Sequence, residues 1–252
     1  MNLSKLMRKC SLLFLCFITF NAYSCQLDIR LEHFSPESHK SHNDEWFGID
    51  IDLTKALLNE ADCNFNILET PWARALLMLA RGEIDLMINV SKTPEREPLY
   101  YFIGPIRNEE IVFATYKTVE HNLTKVDDIL KLDKPVAIQR NAYYGEAIQR
   151  LIDNEKYTEL FVHVPNNDIK LKLLERGRIS GFLEAKRHVI HGINNDEKFS
   201  NVWFPPLIFH KNPVYFALSK QSVDEQLINK IFNSFQRLLD QGKINEIISK
   251  HQ

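Results

Sequence analysis

Apolar side chains in the first third of the chain switch repeatedly between strand spacing and helix spacing. The alternation over residues 27–31 predicts a strand, and the three- and four-residue spacing over residues 53–61 predicts an amphipathic helix after it. The switch repeats through a strand at residues 65–68, a helix at residues 72–80 and an apolar strand at residues 84–90. This order predicts a βαβαβ unit with a parallel sheet.

The segment after the third strand carries the first candidate for ligand binding. Gly82 follows the preceding helix where a left-handed residue is favoured, and Thr93-Pro94 is typical of an N-cap with proline at the first helical position. Arg96 therefore falls in the first turn of a predicted helix, at the carboxyl end of a strand. Open α/β folds hold anionic ligands at that place, because free backbone N–H groups converge there.

The second half of the chain repeats the alternation. A strand is predicted at residues 111–115, and a polar stretch at residues 116–134 connects it to a second α/β set. That set comprises strands at residues 136–138, 161–164 and 179–183 and helices at residues 144–152 and 168–176. Prolines at residues 205, 206 and 213 indicate that the chain crosses back there from the second lobe to the first. The chain then ends with a strand at residues 214–218 and helices at residues 224–239 and 244–249.

These elements predict an α/β fold with two lobes, each a mostly parallel sheet flanked by helices. Residues 25–115 and 212–252 form lobe I, and residues 116–211 form lobe II. Two hinge crossings join the lobes, so the cleft between them can close around a ligand. The 228 residues from 25 to 252 suffice for two lobes of about 100 residues each.

Residues 1–24 are predicted to be a signal peptide. Lys5, Arg8 and Lys9 form a basic start, residues 11–20 form a short apolar core, and Ala22-Tyr23-Ser24 is typical of a cleavage site. About ten to twelve apolar residues are too few for a permanent membrane span. We therefore expect the mature chain to be soluble and exported.

The charge balance bears on the partners. Removal of the predicted signal peptide leaves 28 basic against 33 acidic residues, a net charge of −5. No face of the predicted elements is polybasic. The composition therefore argues against nucleic acid or an anionic membrane as the partner.

Two cysteines remain after Cys10 and Cys16 are removed with the signal peptide. Cys25 and Cys63 precede two strands that are predicted to be parallel neighbours, so both lie at one sheet edge. A disulfide is the expected state in an oxidising compartment. The alternative is a lipid anchor at Cys25, because residues 22–25 resemble a lipobox without its usual leucine.

Six motifs follow one another along the chain in a fixed order. They are Phe47-Gly48-Ile49-Asp50-Ile51-Asp52-Leu53, Gly82-Glu83-Ile84-Asp85, Ser91-Lys92-Thr93-Pro94-Glu95-Arg96, Phe102-Ile103-Gly104-Pro105, Gly177-Arg178-Ile179 and Gly242-Lys243-Ile244. Together they resemble the periplasmic solute-binding proteins of the amino-acid-binding class, the family 3 receptors of ABC importers. The segment Pro71-Trp72-Ala73-Arg74-Ala75-Leu76 is similar to one subgroup of that family.

The resemblance covers nearly the whole mature chain and carries its own implications. It implies the two-lobed periplasmic-binding-protein fold and the capture of a small carboxylate-bearing solute, an amino acid or a related compound. It further implies no cofactor, a membrane permease or a sensor as protein partner, and a monomeric protein.

Four candidate site residues lie in the first lobe's motifs or near them. The family's arginine that matches Arg96 grips the ligand carboxylate, and a guanidinium suits that task because it offers two parallel donors. Ser91 and Asn89 alternate with Val90 at the strand end and can face the cleft. Phe34 matches an aromatic residue that stacks on the ligand. The structural alternatives are a surface ion pair, turn formation and core packing, respectively.

Four more candidates lie around the expected cleft. Trp72 is expected to form its floor, and Arg74 to supply a second cation; the alternatives are a buried anchor and a solvated charge. Asn141 and Tyr143 occupy the family's loop before a helix, where backbone N–H groups meet the ligand. The usual Gly-Thr pair is absent there, but Asn141 tolerates a left-handed backbone and Tyr143 offers a hydroxyl.

The main departure from the family follows Gly177. Amino-acid binders carry an aspartate eight residues later that holds the ligand ammonium group, and this chain has Ala185 there with Glu184 one residue earlier. Glu184 either replaces the aspartate or is a solvated carboxylate beside Lys186 and Arg187.

Other classes of function are weaker on the sequence. The pairs His39/His42 and His188/His191 lack a cysteine or acidic partner in a recognisable zinc spacing, so no metal site is predicted. No catalytic residue is predicted either. The alternatives to uptake are a periplasmic sensory binding protein without its own transporter, and a dehydratase-like enzyme with Glu184 as the only candidate acid or base.

Overall fold

The computed structural model describes residues 25–119 and 121–251. The predicted signal peptide, residues 1–24, lies outside the described residues. Within the described ranges, no helix is long and apolar enough to cross a membrane.

The first half of the fold is built on the predicted βαβαβ unit. Strand β1 pairs in parallel with β4 on one side and with β5 on the other, which confirms the predicted order. The elements are β1 (Cys25–Leu31), β2 (His39–Lys40), β3 (Trp46–Phe47), α1 (Ile49–Glu60), β4 (Cys63–Glu69), α2 (Trp72–Arg81) and β5 (Leu86–Ser91). The short β2–β3 hairpin was not predicted, because two-residue strands carry no periodicity.

The predicted disulfide is present. Cys25 and Cys63 are direct partners in the parallel register of β1 and β4, and their sulfur atoms are bonded. The bond occupies the sulfur that lipidation of Cys25 would require.

The second half contains a second parallel set, in which β7 pairs with β8 and with β9. Short 3-10 helices lie at Val126–Lys131, Glu155–Leu160 and Glu197–Phe199. The remaining elements are β6 (Tyr100–Tyr116), β7 (Val136–Gln139), α3 (Glu146–Ile152), β8 (Phe161–Val164), α4 (Asn167–Glu175), β9 (Gly181–Ala185), α5 (Lys186–Asn195), β10 (Val202–Trp203), β11 (Ile208–Ser219), α6 (Glu225–Asp240) and α7 (Lys243–Lys250).

Two long antiparallel strands, β6 and β11, join the two parallel sets into one sheet of order β4-β1-β5-β11-β6-β9-β7-β8. The strands predicted at residues 111–115 and 214–218 are present, but they were predicted too short, because they are parts of the longer β6 and β11. Pro105 and Pro213 read as breaks, but both are accommodated inside these strands, and the β6–β11 register shifts just after Pro213. The exact lobe boundaries stay a prediction; residues 111–114 already pair with β9, so the crossing runs inside β6.

Helices cover both faces of the sheet. One core cluster packs α1, α6 and α7 against β1 and β5, through side chains such as Leu53, Phe235 and Ile247. Another packs α2 against the opposite face of β5, with Leu79 and Val90 fully buried. This packing fixes the carboxyl ends of β1 and β5, where the first half of the site begins.

Candidate functional site

A cavity of about 70 Å³ lies where the carboxyl ends of strands from both halves of the fold meet. Such strand ends are the usual ligand position in open α/β folds. The lining residues are Arg30, Glu32, Phe34, Ser38, Asp50, Trp72, Ile88, Asn89, Ser91, Glu109, Ile111, Gln139, Ala142, Tyr143, Tyr144, Glu184 and Ala185.

Most of the candidate residues from the sequence meet at this cavity. Six line it, namely Phe34, Trp72, Asn89, Ser91, Tyr143 and Glu184. Arg96 and Asn141 contact each other at its rim. Arg74 is exposed on α2 and does not line the cavity. The ligand-binding roles of all nine stay predictions.

Arg96 links the two halves of the fold. Its guanidinium donates from Nη1 to Ser91 O at 2.9 Å and from Nη2 to Asn141 O at 2.7 Å. The prediction of a helix starting at Thr93 was wrong: residues 94–99 form successive turns, closed by the bond from the Tyr100 N–H to Arg96 O. Burial lowers the pKa of Arg96. Within the described residues, no carboxylate forms an ion pair with its guanidinium, which lies at the rim and donates to two backbone carbonyls.

Aromatic side chains form two walls of the cavity. Trp72 Nε1 donates to Asn141 O at 3.2 Å, and the guanidinium of Arg30 lies 5.3 Å from the Trp72 ring centre. Phe34 stacks on His188 with ring centres 4.5 Å apart. Both aromatic residues therefore touch the opposite half of the fold as well as the cavity.

Asn89 and Asn141 both adopt the left-handed backbone with φ of 61°. In Asn89 this turns the side-chain amide toward α1, where Nδ2 donates to Asp50 Oδ2 at 2.5 Å and Oδ1 accepts from Arg107 at 3.0 Å. Ser91 is also engaged, since its Oγ accepts from Asn212 Nδ2 at 2.9 Å. Asn89 and Ser91 thus hold neighbouring polar side chains in place around the cavity.

Glu184 is neither solvated nor free. Its carboxylate lies 2.8 Å from Nζ of Lys170, a side chain with no exposed surface, and accepts the Ala185 N–H at 2.7 Å. Lys170 also donates to Leu183 O. The charge of Glu184 is therefore compensated inside the protein, and the alternative of a solvated carboxylate is wrong.

Four charged side chains of the wall, namely Arg30, Glu32, Asp50 and Glu109, were missed in the sequence. Arg30 forms an ion pair with Glu32 and donates from Nε to Thr70 O at 2.9 Å. Burial raises the pKa of Asp50 to about 6 and that of Glu109 to about 7. Glu109 and Ile111 are two residues apart along β6, so their side chains lie on the same face of the strand. This spacing is the signal that could have placed both toward the cavity.

Contacts beside the cavity hold the two halves together. Glu37, a buried residue, lies 3.1 Å from Arg187 of α5, and Arg187 Nη2 donates to His251 O at 3.0 Å. Gly48 supports this corner, because its φ of 118° and missing Cβ let α1 begin against the Glu37 carbonyl, which accepts the Asp50 N–H. The described structure is therefore an arrangement in which the halves touch across the cavity.

The raised pKa of Glu109 predicts a pH effect on stability. Its carboxyl group faces Arg107, which lowers its pKa, and Asp50, Glu37 and Glu184, which raise it. A raised folded-state pKa means that the folded protein binds more protons, so this group's stabilising contribution is lost as pH rises from 4.5 to about 7. Across that range, the ligand-free Glu109→Gln variant should gain about 1–3 kcal/mol relative to wild type, measured by urea unfolding at several pH values.

Glu110→Gln is the matched control for this experiment. Glu110 is bonded to Lys186 and Lys211, and these bonds lower its pKa. Its replacement should give no relative gain with rising pH. Parallel stability curves for Glu109→Gln and wild type would contradict a raised pKa of Glu109 in the folded protein.

The fold recurs in solved structures of binding proteins. An amino acid ABC transporter substrate-binding protein, AbpA from Streptococcus pneumoniae bound to L-arginine, matches with a TM-score of 0.75 and 21% identity over 90% of this chain and 94% of its own. A histidine kinase sensor domain similar to periplasmic binding proteins matches with a TM-score of 0.78 and 15% identity, over 91% of this chain and 96% of its own. An ancestral amino-acid-binding protein described as a precursor of cyclohexadienyl dehydratase matches with a TM-score of 0.73 and 21% identity, over 90% of this chain and 95% of its own.

These likenesses define the class of the fold, the two-lobed periplasmic binding proteins, which confirms the predicted architecture. Comparison with curated proteins finds no match. Residues 30–252 match the family model of the bacterial extracellular solute-binding proteins, family 3, and the chain belongs to that family. It is accordingly a ligand-binding receptor, and its disulfide fits the oxidising compartment in which such receptors work.

Proposed function

We propose that this protein is a periplasmic receptor that captures a small carboxylate-bearing solute, an amino acid or a related compound, by closing its two lobes. It acts as a monomer and delivers the solute to a membrane permease of the ABC type. The observation that carries the proposal is the cavity between the halves, which six residues chosen from the sequence line together.

The rim provides the means to bind a carboxylate. Arg96 has a guanidinium whose hydrogen bonds go to two backbone carbonyls, one from each half of the fold. A carboxylate entering the cleft would exchange these neutral acceptors for a charged one, and charge-assisted bonds to a guanidinium are the stronger kind. Tyr143 and the aromatic rings of Phe34 and Trp72 would then enclose the body of the solute.

Closure is supported by contacts that only the joined halves can make. Trp72 and Arg96 both donate to Asn141 O, and Arg187 reaches Glu37 from α5. A bound solute adds contacts to both halves and therefore favours the closed state by its differential affinity.

Sensing is the second candidate. The same fold occurs in a histidine kinase sensor domain at a TM-score of 0.78, so a closed receptor can also signal. A dehydratase-like activity has less support, because Glu184, its one candidate acid or base, is tied to Lys170. A permease gene beside the receptor gene would favour uptake, and a kinase gene would favour sensing.

A thermal-shift screen of the mature protein tests the receptor proposal. The panel comprises the common amino acids, dicarboxylates, polyamines and peptidoglycan fragments. A solute at about 100 times its Kd adds ~2.7 kcal/mol to the free energy of unfolding, which for this chain length raises Tm by roughly 5–10 °C. We expect at least one carboxylate-bearing solute to do so. A folded protein that no carboxylate stabilises would contradict the proposal.

A further inference from the structure

Five residues join the two halves of the fold at a place beside the cavity. Arg187 donates from Nε to Glu37 Oε1 at 3.1 Å and from Nη2 to His251 O at 3.0 Å. The next residue of α5, His188, has its Nδ1 2.5 Å from Ser35 O. We call Ser35, Glu37, Arg187, His188 and His251 the interlobe latch. None of these five described residues lines the cavity, so their contacts do not require a solute bound there.

The first half of the fold holds its side of the latch in a fixed shape. Residues 34–38 form a tight turn, in which the Phe34 N–H donates to Ser38 O at 2.7 Å and the Ser38 N–H donates to Phe34 O at 3.0 Å. The Glu37 carbonyl accepts the Asp50 N–H at 2.9 Å, which ties the turn to α1. The turn is therefore in place before α5 reaches it, and such pre-organised partners lose less conformational entropy on contact.

The Glu37 carboxylate depends on the second half of the fold for its nearest cation. Glu37 is 1% exposed, and its Oε2 has no hydrogen-bond partner among the described residues. Its Oε1 lies 3.1 Å from Arg187 but 3.6 Å from Arg107 of β6. A buried carboxylate that loses a hydrogen-bonded cation still bears the cost of its own desolvation. The joined arrangement is therefore favoured while Arg187 is in place and opposed without it.

His188 adds an aromatic contact to the ion pair. Its ring stacks on Phe34 of the first half with ring centres 4.5 Å apart. It also lies edge-on to Phe199 of its own half, with ring centres 5.7 Å apart. Aromatic pairs stabilise a contact beyond the area that they bury, so the first turn of α5 docks through a charge and a ring together.

We propose that the interlobe latch holds the two halves together without solute, so that the joined arrangement is the main state of the free receptor. The inference rests on the proposed closure of the lobes and adds the contacts that stabilise the closed state. A solute then enters during brief openings of the cleft, which makes its association slower than binding to an open site. Arg187 and His188 act as positioning residues, because they contact the other half of the fold and do not line the cavity.

The test is a distance measurement on the mature protein without solute. Spin labels on cysteines introduced at Asn229 of α6 and Lys172 of α4, which are exposed positions in the two halves, report the separation by double electron–electron resonance. Labelled wild type should give one main distance, that of the described arrangement. The double variant Arg187→Ala/His188→Ala removes the second half's side chains from the latch. It should lower the ratio of joined to separated molecules by at least about 30-fold, the lower end for truncating one partner of a buried charge pair.

Arg150→Ala is the matched control. It removes an arginine of the second half whose ion pair is with Glu146 of its own helix, so the ratio should stay within about threefold of wild type. Separated halves as the main state of wild type, or a double variant with the wild-type distance distribution, would overturn the inference. Either result leaves the receptor proposal standing, because the thermal-shift panel tests solute binding separately. Circular dichroism of the variants checks that a longer distance is not lost fold.

Discussion

Lys170→Met is expected to lower the free energy of unfolding by about 3–5 kcal/mol. Lys170 has no exposed surface, and its Nζ is 2.8 Å from Glu184 and 2.9 Å from Leu183 O. Methionine keeps most of the volume but leaves the Glu184 carboxylate buried without its cation. Urea unfolding followed by circular dichroism measures the change, and Tm should fall by roughly 6–20 °C for a chain of this length.

The double variant Lys170→Met/Glu184→Gln separates charge from packing. It removes both charges, so much of the stability lost in the single variant should return, with a coupling energy of about 1–3 kcal/mol between the two sites. A single Lys170→Met variant within about 1 kcal/mol of wild type would contradict a buried, mutually dependent pair.

Arg96→Ala is expected to weaken binding of a carboxylate-bearing solute by roughly 10²–10³-fold. The substitution removes the one guanidinium at the rim that has no carboxylate partner among the described residues, and with it the charge that a solute carboxylate needs. Calorimetric titration with the most stabilising carboxylate of the thermal-shift panel measures the loss.

Arg74→Ala is the matched control for Arg96→Ala. It removes the same type of side chain from an exposed position on α2 that does not line the cavity, so affinity should stay within about threefold. Arg96→Ala within the same limit would make Arg96 a structural residue that joins Ser91 and Asn141. A large loss of affinity in Arg74→Ala would instead indicate that Arg74, on α2, contacts the solute.

The parts of the fold that could be predicted are those governed by local periodicity. The segments β1, α1 and β4 show strict strand or helix spacing, and the parallel pairing of β1 with β4 places Cys25 opposite Cys63. The left-handed backbone of Asn141 could also be anticipated, because asparagine tolerates it better than other side chains do.

The parts that could not be predicted depend on long-range pairing. The length of β6 is fixed by its pairing with β11, and a proline in each strand reads as a break when neighbours are unknown. Because the sequence predicted this strand only over residues 111–115, Glu109 fell in a connecting segment. Its side chain could therefore not be assigned to either face of the sheet. The partner of Glu184 was equally hidden, because Lys170 lies 14 residues away on α4, a helix expected to expose its lysines.

The same limit applies to the candidate site. Arg96, Ser91 and Asn141 were chosen as ligand contacts, and the structure brings the three together, yet Arg96 uses their backbone carbonyls instead of lining the cavity. Sequence patterns indicate which segments approach the cleft. Which atoms remain open for a ligand depends on the side-chain pairs formed after folding, such as those of Asp50 with Asn89 and of Glu184 with Lys170.

The most direct measurement is a crystal structure of the mature protein with the most stabilising solute of the panel. The account predicts one solute per chain, enclosed between the halves, with its carboxylate on Arg96. A solute bound outside the cavity, or an occupied cavity that leaves Arg96 without a ligand contact, would contradict it.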